Sequence, residues 1–151
     1  MQPPDVNKTE QKQIEAKGFT DFLDNPDKTG IRWIRRKNDG SCFFLKNNKC
    51  AIYEVMPAVC RLEPFTIVDY DYEKNRIELE LNFPFACCCI GTCDEETLPV
   101  EEIGKAAQIL VQKILALTAK DLDLPITDKR VYSETRSRLL RRRVEMANLL
   151  L

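Results

Sequence analysis

The chain has 151 residues, 44% of them hydrophobic and 31% charged, with a formal net charge of -1. That length and balance suit one globular domain with a real core rather than a disordered chain, and near-neutrality gives no global pull toward nucleic acid or an anionic membrane. No run approaches the roughly 20 apolar residues of a membrane span and the polar N-terminus lacks a signal-peptide core, so a cytoplasmic location with reduced thiols is expected.

Asn7 or Thr9 can cap a first helix over Glu10–Lys17, which Gly18 stops. Phe19, Phe22 and Leu23 read as a short second helical turn ending near Asn25-Pro26. Ile31, Trp33 and Ile34 read as a strand, Asn38-Asp39-Gly40 as a turn, and Cys42–Leu45 as the returning strand. Lys46–Lys49 is a second polar turn, and Pro57 interrupts the segment Ala51–Cys60. Phe65–Tyr70 and Arg76–Phe83 form a hairpin, since Ile77, Leu79 and Leu81 alternate with Glu78, Glu80 and Asn82. Residues 82–93 are irregular and rich in cysteine.

The last third is helical. Pro99, Glu101 and Glu102 suit a helix start, and Val100, Ile103, Ala107, Leu110, Ile114 and Leu117 mark its buried face. After a connector, Thr127 caps a last helix with Leu140, Val144, Ala147 and Leu151 on one stripe. These helices, about residues 97–151, are expected to pack antiparallel. The fold class is α+β: a small irregular β core carrying a cysteine cluster, flanked by an N-terminal helix and a C-terminal helical hairpin, in one domain over residues 1–151.

Seven cysteines need an account: Cys42, Cys50, Cys60, Cys87, Cys88, Cys89 and Cys93. The number is odd, and adjacent cysteines are poor disulfide partners. Histidine is absent, which removes imidazole as ligand and as base. Thiolates are soft donors that suit zinc or an iron–sulfur cluster. A hairpin from Cys42 to Cys50 would bring its ends together. Cys60 follows a Pro-containing segment and the triplet follows the second hairpin, so separate loops could deliver thiolates to one point. For any single cysteine the plain alternative is a small buried hydrophobe.

The segments Gly40-Ser41-Cys42-Phe43-Phe44-Leu45, Cys50-Ala51-Ile52-Tyr53 and Pro57-Ala58-Val59-Cys60-Arg61-Leu62-Glu63-Pro64-Phe65 carry a resemblance. They are similar to the YkgJ-like cysteine-cluster family, a zinc- or iron-chelating domain related to flagellin lysine N-methylase. The similarity is specific over residues 40–65 and weaker at Pro3-Pro4-Asp5-Val6 and Cys87–Gly91. It implies that Cys42, Cys50, Cys60 and Cys87 are metal ligands, with Cys88 or Cys89 taking the place of Cys87 in a shifted alignment. Met56 stands where the family has arginine, and Glu63 where it has an aromatic residue. The family also carries a further cysteine motif upstream of the segment resembling Pro3–Val6, and no cysteine precedes Cys42 here. Cys88, Cys89 and Cys93 are expected to compensate.

An iron–sulfur cluster is preferred to zinc, given the many thiolates and the absence of histidine. Two other functions are compatible with the sequence. One, implied by the resemblance to flagellin lysine N-methylase, is a protein lysine N-methylase-like enzyme, although no Gly-rich nucleotide loop is present. The other is a protein-interaction module with structural zinc. Arg61 could lower the pKa of neighbouring thiols, while Tyr53 reads as a core or interface aromatic. From Asp128 to Glu145 the last helix has seven Lys or Arg against three Asp or Glu. A solvated face explains this better than nucleic-acid binding, because few aromatics accompany the arginines. Asp94, Glu95, Glu96, Glu101 and Glu102 are the expected partners of that helix.

Overall fold

The structure is a computed structural model that describes residues 4–26, 28, 31–81 and 99–148, the last three of these by backbone alone. The chain divides into two compact units, Met1–Arg61 and Leu62–Leu151. Small antiparallel strand pairs, an N-terminal helix and two C-terminal helices give the mixed α+β class expected.

In the first unit, helix α1 (Lys8–Ala16) begins at a reciprocal cap. Asn7 Oδ1 accepts the Glu10 N–H and Glu10 Oε2 accepts the Asn7 N–H, both at 2.9 Å, so two end donors are satisfied at once. The helix ends before Gly18, whose φ of +85° carries no steric cost in glycine. The helical turn expected at residues 19–25 is not formed. Instead residues 22–24 run antiparallel to 33–35, with the Asp24 N–H on the Trp33 carbonyl and the Arg35 N–H on the Phe22 carbonyl, both at 2.9 Å. A lone helical turn makes few internal hydrogen bonds; this route satisfies the backbone and buries Phe22.

Strand β1 (Asp5–Val6) pairs antiparallel with β2 (Arg32–Trp33), so the partner of the Ile31–Ile34 run is the N-terminal segment and not Cys42–Leu45. The turn at Asn38–Gly40 is formed, with the Gly40 N–H on the Lys37 carbonyl at 2.9 Å. The returning chain meets Arg36 at Cys42 and then turns again. Strands β3 (Leu45–Lys46) and β4 (Lys49–Cys50) make a tight hairpin. Ile14, Phe22, Ile34, Phe44 and Ile52 form the buried core. Phe44 meets the rings of Phe19, Phe22 and Phe43 at centroid distances of 5.3, 5.3 and 5.2 Å, in the tilted and edge-on geometries that aromatic quadrupoles favour.

In the second unit, β5 (Phe65–Asp71) and β6 (Arg76–Leu81) form the expected hairpin. Ile67 faces Leu79 and Asp69 faces Glu78, leaving Val68 as the extra residue of a bulge. Helix α3 (Val100–Leu122) ends at Asp123, a left-handed residue with φ 53°. Helix α4 (Lys129–Asn148) packs against α3 and β5. Its first turn is capped by Asp128, whose Oδ1 accepts the Arg130 N–H at 2.9 Å, rather than by Thr127.

The buried faces differ from the hydropathy reading. On α3 the inward residues are Ala106, Ala107, Val111, Leu115, Thr118 and Ala119, while Val100 and Leu117 are exposed. On α4 Val131, Thr135 and Leu139 are buried, whereas Leu140 is 40% and Val144 60% exposed. Ala147 and Leu151 lie outside the residues whose side chains are described. Thr118 and Thr135 enter the packed faces, and the α4 face toward the hairpin carries arginines matched to strand carboxylates. Arg136 makes a bidentate pair with Asp69, both bonds 2.8 Å, and Arg143 pairs with Glu78 and Glu80. Arg138 pairs with Asp121 and Glu134, and Arg141 with Glu134. Of the acidic residues expected to pair with this helix, Glu101 pairs instead with Lys105 of its own helix, while residues 94–96 lie outside the described residues.

Two outcomes follow. Phe44→Ala should cost about 3–5 kcal/mol, read as a lower urea midpoint followed by the fluorescence of Trp33, the single tryptophan. The Arg136 guanidinium holds the Asp69 carboxyl below the usual range. The folded pKa is therefore below the unfolded value of about 4, so the pair stabilises fully above that pH and its contribution is lost as acid carries the pH down through the lowered pKa. Asp69→Asn should cost about 2 kcal/mol near neutral pH, and its urea midpoint should approach that of the wild type in strong acid.

Candidate metal centre

Three of the cysteines expected as ligands lie in the first unit, each set by local chain geometry. Cys42 precedes a turn, and its carbonyl accepts the Leu45 N–H at 3.0 Å. Asn47 and Asn48 both adopt left-handed φ, 49° and 58°, as a two-residue hairpin turn requires. That turn sets Cys50 opposite Leu45, so the residue facing Cys50 across the ribbon is Leu45 and not Cys42. Cys60 sits in the short helix α2 (Ala58–Leu62). The Pro57 carbonyl accepts the N–H groups of Cys60 at 2.9 Å and Arg61 at 3.1 Å.

All three residues carry thiols rather than disulfides. Cys50 is exposed, and Cys42 and Cys60 are half-buried; Cys42 packs against the rim of the aromatic core. Cys50 lines an open depression with Lys17, Phe19, Ile52, Tyr53 and Glu54. Tyr53, expected in a core or interface, is 66% exposed there. The Arg61 guanidinium donates to the carbonyls of Glu54 at 2.6 Å and Tyr53 at 3.4 Å, tying α2 to the 3₁₀ turn Tyr53–Val55. Lys17 pairs with Glu54 at 2.6 Å and holds that carboxyl below its usual range.

Among the described residues no three cysteine, aspartate or glutamate side chains converge as a metal-binding group. Cys42, Cys50 and Cys60 therefore do not make a complete ligand set by themselves. Cys87, Cys88, Cys89 and Cys93 lie outside the described residues. The donors present nonetheless fit zinc or an iron–sulfur cluster in kind: they are cysteine thiols, exposed at Cys50 and half-buried at Cys42 and Cys60, in one compact unit.

One residue escaped the sequence reading. Glu10 was legible as a helix former, yet its carboxylate is nearly buried and reaches Ala58, at the start of the Cys60 helix. The signal that could have revealed its first role is the Asn7-x-x-Glu10 spacing of a capping box.

Against these observations stand the comparisons with known proteins. The model of the CxxCxxCC family, described as a proposed zinc- or iron-chelating domain, matches residues 2–88. The chain belongs to this family. No curated protein and no solved structure matches the chain. Among the described residues no helix is long and apolar enough to cross a membrane.

The exposure of the thiols makes a direct prediction. In metal-free protein, timed alkylation read by mass spectrometry should label Cys50 faster than Cys42 and Cys60.

Proposed function

We propose that this protein binds iron as an iron–sulfur cluster, in preference to a zinc ion, through the thiolates of Cys42, Cys50 and Cys60 together with those of Cys87, Cys88 and Cys89. The observation that carries this reading is the family match. Its span, residues 2–88, takes in five of these six cysteines and ends within the triplet. The donor chemistry supports it, because the three described sulfurs are neither bridged nor sealed in the core. The preference for a cluster rests on the number of thiolates and the lack of histidine.

A bound cluster would supply electron transfer, and a bound zinc a structural clamp. The chain's own contribution is to hold the sulfurs on tight turns and to shed their protons. The described sulfurs do not converge by themselves, so binding would gather separate loops and contribute to folding.

The test is anaerobic purification followed by elemental analysis and an ultraviolet–visible spectrum. Stoichiometric iron with visible absorption is the expected result; colourless protein with stoichiometric zinc would shift the reading to zinc. Replacing Cys42, Cys50 and Cys60 together by serine should bring bound metal close to zero, and a chelator should lower the urea midpoint of the wild type. A wild-type chain that takes up neither metal on reconstitution overturns the proposal.

A further inference from the structure

We infer that Glu10 is a positioning residue for Cys60, an inference that rests on the metal-binding reading above. Glu10 lies in the first turn of α1, where a capping glutamate needs only to reach back to its own cap. Here the side chain is turned inward and the residue is 7% exposed. Its two oxygens have different partners. Oε2 accepts the Asn7 N–H at 2.9 Å, and Oε1 accepts the Ala58 N–H at 2.9 Å, across 48 residues of chain.

Ala58 opens α2, which is only five residues long. A helix of that length makes almost no internal hydrogen bonds, so its placement must come from outside. At one end Glu10 takes the Ala58 N–H; further along, Arg61 holds the carbonyls of the preceding 3₁₀ turn. Cys60 is the third residue of this turn, and its N–H is bonded to Pro57. The point from which the Cys60 side chain leaves the backbone is therefore set by the same turn that Glu10 anchors. Burying a carboxylate is costly unless its oxygens are satisfied, and only a carboxylate presents two acceptors to two backbone donors. Glutamine offers one oxygen and would set its own NH2 against the second N–H.

The test uses the full metal-free chain. Glu10→Gln should raise the alkylation rate of Cys60 several-fold while leaving Cys50 and Cys42 at wild-type rates. Zinc affinity, measured by competition with a chromophoric chelator, should fall about 10- to 100-fold, the usual effect of removing a group that orients a ligand. A folded Glu10→Gln protein with an unchanged Cys60 rate overturns the inference, as does an equal rise at all three cysteines. Asn7→Ala is the second variant: it removes the helix cap and keeps the bond to Ala58. Its Cys60 rate should stay at the wild-type value, and a rise there overturns the inference even where Glu10→Gln does not fold. If wild-type protein binds no metal, the metal reading fails, while the alkylation rates still decide the role of Glu10.

Discussion

Strands two residues long make too few hydrogen bonds to stand alone, so the first unit depends on the packing of Phe19, Phe22 and Phe43 around Phe44. Each aromatic contact draws in a different piece of irregular chain. Phe22 brings the segment after α1, and Phe43 brings the residue next to Cys42. Phe44 itself stands one residue before β3, and its carbonyl accepts the Ala51 N–H at 2.8 Å. Cys42 is thus carried on the rim of this apolar cluster.

The second unit uses a different principle. Its helices carry regular buried seams, but the contact of α4 with the hairpin is also ionic. The Arg136–Asp69 pair is bidentate, with the carboxylate largely removed from solvent, and charged hydrogen bonds of this geometry are among the stronger ones. The pairs of Arg143 with Glu78 and Glu80 are more exposed and correspondingly weaker. The ring of Tyr132 stacks on Tyr72 at a centroid distance of 3.8 Å, adding a contact between α4 and the hairpin loop. The basic character of the last helix thus serves packing within this unit.

Much of this was legible in the sequence where the signals are local. The cap at Asn7, the stop at Gly18, the β5–β6 alternation and the two long helices follow from residues near one another in the chain. What escaped depends on partners distant in sequence. The route of residues 19–25 is chosen by pairing with residues 33–35, and hydropathy does not reveal that Thr118 and Thr135 are buried. The pairing of Arg136 was hidden because Asp69 is 67 residues away. The family was readable from the cysteine motif. The arrangement of the cysteines was not, since the spacing from Cys42 to Cys50 does not reveal that Leu45 closes the hairpin.

That hairpin has a consequence for how the sequence can change. Two consecutive left-handed asparagines impose one loop length and one register. Adding or deleting a single residue would swing Cys50 to the other side of the ribbon, because side chains alternate along a strand. The interval from Leu45 to Cys50 therefore behaves as a fixed spacer, and length can change before Leu45 without turning Cys50 over.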